Sequence, residues 1–284
     1  MRMLGAPVTR VLGERDLDEA LAVIGQDPVA NVFVASRCRE AGLDPQRLGG
    51  ELWGYHRGGR LESLCFSGAN LIPVQASIDA VHAFAELARR QGRRCSSIVG
   101  PADPTSRLWN LLRPYWGPAR DVRLRQPLMA TSVAPPEAVR PDPRVRLVRP
   151  VELPMIVPAS VAMFTEEIGV CPLDGEGGAF YRTRVEELVE SDRAYALFEH
   201  GRVVFKAEIG VAAEDCCQIQ GVWVAPDRRG QGLGIAGMAA VVEHALRDHA
   251  PVVSLYVNDY NLVARAVYRR VGFTDVGTFA SVLF

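Results

Sequence analysis

One stretch, CQIQGVWVAPDRRGQGLGIAGMAAVVEHALRDHA, limits the fold of this chain more than any other. A β-rich apolar run ends at Val224, and Gly230, Gly232 and Gly234 follow it before a long helical pattern that continues to about Leu246. Apolar runs of this kind indicate a strand, and closely spaced glycines indicate a turn. The sequence therefore predicts a strand that passes through a glycine-rich loop directly into a helix.

A loop of this kind is suited to an anion. The N-terminus of a helix presents N–H groups and the positive end of its dipole, and glycines let the backbone approach a phosphate closely. Arg228 and Arg229 add positive charge beside the glycines. The acidic residue of a dinucleotide fold and the G-K-[ST] ending of a P-loop are missing. The pattern predicts a nucleotide site of another kind.

A second motif lies further along, in NLVARAVYRRVGF from Asn261 to Phe273. Arg229, Gly232 and Gly234 fit [RQ]-x-x-G-x-[GA], and the second motif fits N-x-x-A-x-x-x-Y-x-x-x-G-F. Together the two motifs resemble the GNAT N-acetyltransferase superfamily over residues 145–284. The resemblance implies an α/β fold of the α+β kind, a mixed and mostly antiparallel sheet flanked by helices, and acetyl-CoA as the cofactor.

The resemblance also implies where the cofactor binds. The strand before the loop is expected to splay from its neighbour and to pair with the pantetheine amides, while the loop holds the pyrophosphate. The cofactor-binding residues implied in this way are Val222, Trp223, Val224, Arg229, Gly230, Gln231, Gly232, Leu233, Gly234, Asn258, Asn261 and Ala264.

Two residues are candidates for proton transfer. Tyr268 corresponds to the family tyrosine that acts as general acid toward the leaving thiolate; a tyrosine that only packs against the cofactor is the alternative. Gln218 and Gln220 stand where the family often has an acidic residue, and glutamine cannot accept a proton. Glu208, on the adjacent strand, is therefore the candidate base, with a solvated or Lys206-paired glutamate as the alternative.

Glu166 and Glu167 are candidates for binding the acceptor. The part of the chain before residue 146 carries 19 arginines against 15 acidic residues, whereas the rest carries 13 basic against 18 acidic residues. An acidic half favours a positively charged acceptor. A charged pair at a helix end is the alternative interpretation of these two glutamates.

Prolines mark a boundary in the middle of the chain. Five of them fall in TSVAPPEAVRPDPRVRLVRPVE, residues 131–152, and forbid a continuous helix or a central strand. The expected organisation is a degenerate GNAT-like domain over residues 1–130, a linker over 131–144 and an acetyl-CoA-binding domain over 145–284. The first domain lacks a glycine-rich loop in VGPADPTSRLWN, and the arrangement resembles tandem GNAT proteins of actinobacterial type.

Composition argues against several functions. The net charge of -1 has no basic cluster behind it, which argues against nucleic-acid binding. No apolar run approaches the roughly 20 residues of a membrane span. The six cysteines form no C-x-x-C pair, and the five histidines lack ligand spacing, so a cytoplasmic protein without a metal site is expected.

The predicted function is transfer of an acetyl group from acetyl-CoA to a primary amine of a small molecule or a protein. Direct attack by the amine is favoured because no cysteine aligns with a nucleophile position. The alternative is a non-catalytic acyl-CoA-binding sensor or regulatory protein. The acceptor, the length of the acyl group and the oligomeric state stay open, as does a contribution of the first domain to the acceptor site.

Overall fold

The computed structural model describes residues 7–174 and 177–284. Contacts between Cα atoms divide these residues into two compact units. Unit 1 comprises residues 7–129, Tyr256–Asn261 and Asp275–Phe284. Unit 2 comprises Ala130–Leu255, apart from residues 175 and 176, and Leu262–Thr274. The last ten residues of the chain therefore belong to the first unit.

The elements follow one another as twelve strands and nine α-helices in the described residues. The strands are β1 (Val8–Val11), β2 (Gly50–Arg57), β3 (Arg60–Gly68), β4 (Asn70–Val74), β5 (Ser97–Pro101), β6 (Asp121–Thr131), β7 (Arg146–Leu147), β8 (Ala194–Glu199), β9 (Arg202–Ala212), β10 (Cys217–Val224), β11 (Val253–Tyr256) and β12 (Thr274–Leu283). The helices are α1 (Leu17–Ile24), α2 (Val32–Ala41), α3 (Pro45–Leu48), α4 (Ile78–Gln91), α5 (Ala102–Trp116), α6 (Leu153–Ile168), α7 (Gly177–Glu190), α8 (Leu233–Asp248) and α9 (Leu262–Val271).

Unit 1 is built on a mixed sheet with the order β1-β2-β3-β4-β5-β12-β6. Pairing is antiparallel from β1 to β4 and parallel between β4 and β5. The C-terminal strand β12 pairs antiparallel with β5, from Phe279 opposite Pro101 to Leu283 opposite Ser97. Helices α4 and α5 cover one face with a core that includes Trp53, which is 1% exposed.

Unit 2 repeats this arrangement with the order β11-β10-β9-β8-β7. Its pairing is antiparallel from β7 to β10 and parallel between β10 and β11. An apolar core including Ile156 and Val185 packs α6 and α7 against the sheet. Helix α8 approaches β9 closely at Gly237, where an added Cβ would lie 2.7 Å from the Phe205 ring. A mixed sheet flanked by helices, as the sequence predicted, is present in each unit.

The central hairpins of the two units turn in the same way. His200 and Gly201, between β8 and β9, have φ values of 48° and 75°, and Gly58 and Gly59, between β2 and β3, have 58° and 82°. Two consecutive residues with positive φ are typical of a type I′ turn, whose twist matches that of the flanking strands. The central hairpin of each unit thus turns on two residues with a left-handed backbone.

The sequence analysis assigns no element to the residues of α2, α3, β4 and α7. Helix α2 buries Val34, Cys38 and Ala41, which share one face at helical spacing. Strand β4 contains Pro73, which argues against a central strand. Because β5 pairs with Asn70 and Leu71 of β4, Pro73 lies beyond that pairing and no hydrogen bond to β5 is lost there.

The proline-rich stretch has an irregular backbone between the end of β6 and the start of β7. The Asp142 N–H donates to the Ala236 carbonyl at 3.0 Å, which attaches this stretch to the first turn of α8. The contacts divide the chain after Met129, close to the predicted boundary, but they assign β12 to unit 1. No local sequence signal indicates that the C-terminal strand β12 belongs to the first unit. The domain limits drawn from the sequence therefore stay a prediction.

Candidate functional site

The glycine loop leaves the N-terminus of α8 open. Gly232 is the N-cap of this helix, with φ of 81° and no side-chain hydrogen bond to the cap. Gly230 has φ of 75°, and a Cβ added at either glycine would meet nothing within 4 Å. The left-handed backbone therefore explains the glycines, because other residues adopt it at a cost. The space around both of them is free for a ligand.

The backbone of the loop is positioned by its neighbours on both sides. The N–H groups of Ile235 and Ala236 both donate to the Gly232 carbonyl at 3.1 Å, so the helical hydrogen bonds begin there. A Cβ at Gly234 would lie 3.7 Å from Val224 of β10 and 3.9 Å from Val267 of α9. The first turn of α8 is thus packed between the strand that leads into the loop and the helix that carries the second motif.

Strand β10 leaves its parallel neighbour before the loop. Within the described residues, the pairing of β10 with β11 consists of Cys217 opposite Val253 and Gln218 opposite Ser254. Strand β10 continues to Val224, so its last six residues run past the end of this pairing. Residues 222–224 therefore have no pairing with β11 within the described residues. That they pair with pantetheine, as the resemblance implies, stays a prediction.

A β-bulge interrupts the other side of β10. Gln220 lies opposite Glu208, whereas Trp223 lies opposite Lys206, so three steps on β10 match two steps on β9. Gly221, inside the bulge, has φ of 59°. Bulges of this kind re-aim the backbone and are frequent next to active sites.

Glu208 is buried and ion-paired. Its carboxylate oxygen Oε1 lies 2.5 Å from Nζ of Lys206, which also donates to the Gly221 carbonyl at 3.0 Å. Lys206 is 0% exposed and Glu208 is 9% exposed. The pairing with Lys206 that the sequence left open is therefore present, and the pair lies directly beside the bulge.

Tyr181 of α7 lies near enough to Glu208 for the charge of that carboxylate to affect the pKa of the tyrosine. Burial raises the pKa of its phenol, and the negative charge of Glu208 raises that pKa further. The hydroxyl donates to the Ser160 carbonyl at 2.7 Å, and the ring packs edge-on against Phe164 at 5.3 Å. Phe164 of α6 and Tyr181 of α7 thus form an aromatic surface near Glu208.

Tyr268 is buried on α9, with 7% of its surface exposed. Its ring packs edge-on against Phe273 at 6.1 Å. Burial raises the pKa of its phenol, and the negative charge of Glu167 adds to the effect. The hydroxyl therefore stays protonated at neutral pH and can donate. The described interactions connect Tyr268 with Glu167 and Glu208 with Tyr181; they do not connect Tyr268 with Glu208.

Glu166 faces the loop. Its carboxylate accepts a hydrogen bond from Nε1 of Trp223 at 3.1 Å and one from Nη2 of Arg229 at 2.6 Å. The Arg229 side chain also donates through Nε to the Val224 carbonyl at 3.0 Å. Glu166 was predicted to bind the acceptor, but these contacts connect the end of α6 to the loop and to the end of β10.

The glutamines of this region make polar contacts with their neighbours. Gln220 Nε2 donates to Gln218 Oε1 at 3.3 Å, and the Gln220 side chain lies against Gly210, where an added Cβ would come within 2.4 Å of it. In the loop, Gln231 accepts from Nε of Arg228 at 3.1 Å. Gln218 and Gln220 thus occupy the sheet face beside Glu208, where the family often has an acidic residue.

Three predicted cofactor contacts, Asn258, Asn261 and Ala264, lie outside both β10 and the loop. Asn258 is 6% exposed and accepts from Nε2 of Gln126 at 2.9 Å; Gln126 in turn accepts from the Ser281 hydroxyl at 2.6 Å. The Asn261 N–H donates to the Asn258 carbonyl at 3.0 Å. Asn258 and Asn261 belong to a segment grouped with unit 1, whereas Ala264 lies on α9 in unit 2. Their part in cofactor binding stays a prediction.

The described residues of unit 1 contain no equivalent glycine-rich loop. The counterpart of the loop follows β4, the strand that pairs in parallel with β5, and it consists of the three residues Gln75–Ser77 before α4. The Ser77 hydroxyl caps this helix by accepting from the Ala80 N–H at 3.2 Å. The stretch VGPADPTSRLWN, where the sequence suggested that the loop was missing, instead joins β5 to α5. The connection that lacks the glycine-rich loop is thus the one from β4 to α4, which comes before the β5–α5 connection that the sequence suggested.

Lys206 and Gly221 are site residues that sequence reasoning missed, together with Tyr181. The alternation of Lys206 and Glu208 in an otherwise apolar strand was a visible signal, because a charged pair on the buried face of a strand needs a reason. The position of Gly221 depends on the register between β9 and β10, and that of Tyr181 depends on how α7 packs. Neither can be obtained from a local pattern.

In residues 7–174 and 177–284, no group of three or more histidine, cysteine, aspartate or glutamate side chains is arranged to hold a metal ion. No helix in the same part of the chain combines the length and the apolar character needed to cross a membrane.

Two family models match the chain. Residues 164–273 match the acetyltransferase (GNAT) family, and residues 50–156 match a domain of unknown function (DUF4081). The first match contains the bulge, the loop and Tyr268.

Several solved structures are similar over nearly the whole chain. A Drosophila protein has a TM-score of 0.68 at 15% identity, covering 98% of this chain and 99% of its own. A GNAT-family acetyltransferase from Colwellia psychrerythraea has a TM-score of 0.56 at 12% identity, with coverage of 98% and 99%. A tandem GNAT protein from the clavulanic acid biosynthesis pathway has a TM-score of 0.54 at 16% identity, with coverage of 97% and 98%. The predicted fold, two GNAT-like domains in tandem, is confirmed.

Proposed function

We propose that this chain, which carries a GNAT-family domain over residues 164–273, transfers an acetyl group from acetyl-CoA to a primary amine. One observation carries the proposal: the uncapped N-terminus of α8 lies at the end of a strand that has left its parallel neighbour. An open helix N-terminus attracts a pyrophosphate, and a free strand edge can pair with amides. Acetyl-CoA carries both groups in one molecule.

In this proposal, the positions of the α8 N-terminus and of β10 determine which way the bound acetyl-CoA runs along the strand. With the pyrophosphate at Arg229–Gly234, the pantetheine arm runs back along β10 from Val224 to Val222. A strand advances about 3.3 Å per residue, so the arm passes about 10 Å along these three residues. The thioester then arrives at the bulge around Gly221, which lies beside Glu208.

Chemistry at the bulge follows from the groups that meet there. The amine nitrogen attacks the thioester carbonyl, the carbon–sulfur bond breaks, and the amine loses a proton. Glu208 is the carboxylate at this end of the arm, and its Oε2 is directed at Gly221, since a Cβ on that residue would lie 2.8 Å from Oε2. We assign it as the base, and Tyr268 as the donor to the leaving thiolate, because Tyr268 is the tyrosine of the second motif and a phenol is protonated at neutral pH.

The acceptor is a small molecule or a protein with a primary amine. Tyr181 and Phe164 provide an aromatic surface near Glu208. Glu167 adds a negative charge at the end of α6, near Tyr268. A cationic amine with an apolar body matches this combination of charge and aromatic surface.

Binding of acetyl-CoA to the full-length protein tests the proposal without an acceptor. Titration calorimetry is carried out with the wild type, Gly232→Asp and Gly232→Asn. Both substitutions place a side chain of similar size on the same left-handed backbone, so they differ in charge. A carboxylate beside a pyrophosphate is repelled, and we expect Gly232→Asp to bind at least about tenfold more weakly than Gly232→Asn.

Arg229→Glu and Arg229→Gln form a second matched pair. Micromolar binding by the wild type that weakens more in each charged variant than in its neutral partner supports a pyrophosphate at the loop. Equal affinities within each pair, or no heat with the wild type, would contradict the proposed cofactor site.

The alternative function is an acyl-CoA sensor without turnover. The ion pair between Lys206 and Glu208 favours it, because this carboxylate already has a cationic partner. Release of free CoA thiol that depends on an added amine distinguishes the two. Tight binding of acetyl-CoA without thiol release across a panel of amines would support the sensor.

A further inference from the structure

Lys206 is the only lysine of the chain, and it is completely buried. A buried ammonium loses its water and is tolerated only where other groups replace that water. Two groups do so here, the carboxylate of Glu208 at 2.5 Å and the carbonyl of Gly221 at 3.0 Å. The ammonium therefore connects a side chain of β9 to the main chain of β10 at one point.

That point is the bulge. A Cβ on Gly221 would lie 2.8 Å from Glu208 Oε2 and 3.0 Å from Lys206 Nζ, so the ion pair rests directly against the Gly221 backbone. On its opposite side, β10 has already left β11, because their pairing ends at Gln218. Lys206 thus holds this part of β10 where the parallel neighbour no longer does.

We propose that Lys206 is a positioning residue that fixes the Gly221 carbonyl and the Glu208 carboxylate, and through them the shape of the bulge that receives the acetyl end of acetyl-CoA. This inference rests on the proposed function. Lys206 acts through Gly221 and Glu208, and its ammonium does not take part in bond making.

The proposal predicts different changes in affinity for two ligands that differ in one group. CoA and acetyl-CoA share the pyrophosphate and the pantetheine arm, and only acetyl-CoA brings the acetyl group to the bulge. Loss of the Lys206 ammonium should therefore weaken the binding of acetyl-CoA and leave the binding of CoA nearly unchanged. A purely structural role would lower the stability of the protein and would not change the ratio of the two dissociation constants.

Variants are chosen so that charge is balanced. Lys206→Met alone would leave the buried carboxylate of Glu208 without its cation, which threatens folding. Glu208→Gln alone would likewise leave the buried ammonium without its anion. Lys206→Met/Glu208→Gln removes both charges together, and Lys206→Gln/Glu208→Gln does the same while keeping a donor for the Gly221 carbonyl. Comparison of the two double variants isolates the hydrogen bond to Gly221. Leu64→Ala, in the core of unit 1, serves as a control for lost stability at a residue that is 0% exposed.

Titration calorimetry of each full-length protein with CoA and with acetyl-CoA is the measurement. From the wild type to Lys206→Met/Glu208→Gln, we expect the preference for acetyl-CoA to fall about fivefold, the effect of one lost hydrogen bond. The affinity for CoA should stay within about twofold, because the pyrophosphate and pantetheine contacts are unchanged. Leu64→Ala should lower the melting temperature and keep the wild-type preference.

Lys206→Gln/Glu208→Gln is the second variant. Its amide can donate to the Gly221 carbonyl and should restore part of the preference, and it carries the test if the methionine variant does not fold. Wild-type preference in both double variants would overturn the role of Lys206 and leave the proposed function standing. A wild type that binds neither CoA nor acetyl-CoA would overturn the proposed function and this inference with it.

Discussion

Glu166 is paired with Arg229, the cation that we propose for binding the pyrophosphate. Its carboxylate accepts from Nη2 of Arg229, while 44% of the Glu166 side chain and 49% of the Arg229 side chain stay exposed. A partly exposed ion pair contributes up to about 1 kcal/mol, so a pyrophosphate can displace it. The cost of that displacement should be visible in the affinity for acetyl-CoA.

Replacing Glu166 by glutamine should therefore strengthen the binding of acetyl-CoA. We expect a dissociation constant about threefold lower than that of the wild type, measured by titration calorimetry at low salt. Glu167→Gln removes the same charge one residue further along α6 and is the matched control, with a smaller change expected. Weaker binding in Glu166→Gln would mean that the carboxylate supports the loop and does not compete with the ligand.

Tyr268 gives a prediction about catalysis. Its phenol is buried, with a raised pKa, and is the proposed donor to the thiolate. Replacement by phenylalanine should lower kcat at least about 100-fold, as expected for loss of a general acid. The dissociation constant for acetyl-CoA should stay close to that of the wild type.

Tyr195→Phe is the control for this substitution. Tyr195 is also buried, and its hydroxyl lies 3.0 Å from Nε2 of His249. Loss of one buried hydroxyl there should change stability and leave kcat unchanged. Normal turnover by Tyr268→Phe would assign Tyr268 to packing alone.

At the scale of elements, α6 is anchored by an acidic residue at its start. Glu152 is 4% exposed and accepts hydrogen bonds from Arg146, at 2.7 and 2.8 Å, and from Arg149 at 2.8 Å. The bonds from Arg146, followed by those from Arg149, hold the pKa of this carboxyl far below its ordinary value. These contacts keep β7 and the start of α6 together.

A pH dependence of stability follows. Because the folded-state pKa is lowered, Glu152 stabilises the native state above its unfolded pKa of about 4.3, and this contribution is lost as the pH falls toward the folded value. The difference in melting temperature between the wild type and Glu152→Gln should be largest near pH 7 and shrink below about pH 4. Thermal unfolding followed by circular dichroism measures it. A difference that is constant between pH 7 and pH 3 would contradict the ionic role of Glu152.

Elements made by local patterns were predictable. The strand, loop and helix around Gly232 follow from hydrophobic periodicity and glycine spacing, and the turn at His200 and Gly201 from its hairpin pattern. Strand β4 was missed because Pro73 argues against a strand, and the reason it is tolerated lies in the pairing with β5. Helix α2 was missed because burial of Val32 and Val34 depends on tertiary packing.

The candidate site likewise contains residues that a local pattern reveals and residues that depend on tertiary structure. The loop residues could be identified because each contributes through its own backbone or charge. Lys206 was not identified as a site residue because its role depends on the register that brings it to Gly221 across two strands. The acceptor-binding role of Glu166 stays a prediction, and its contact with Arg229 has no local sequence signal because it depends on where α6 ends.

At the scale of the whole molecule, the last strand of the chain completes the first unit. Strand β12 pairs with β5, and Ala280 and Val282 of β12 are 0% exposed. A cut in the proline-rich stretch would separate β12 from the strand with which it pairs. We therefore expect that the two halves suggested by the sequence do not fold independently of each other.

Fragment complementation tests this point. Residues 1–135 are co-expressed with residues 136–284, or with residues 136–274, which lack β12. Pairing with β5 should give a soluble complex of the first two fragments, because β12 covers an otherwise open edge and fills the core. Without β12, residues 1–135 should be insoluble or unfolded. Gel filtration and the melting temperature of the recovered material are the measurements.

A third pairing controls for the length of the second fragment. Residues 136–284 with Ala280→Asp and Val282→Asp keep the ten C-terminal residues and place two charges where β12 is buried. An unpaired charge in a core is costly, so this fragment should fail to complement, as the shortened one does. Equal recovery of residues 1–135 with all three partners would mean that the first unit folds without β12, and that a cut in the proline-rich stretch does separate two independent domains.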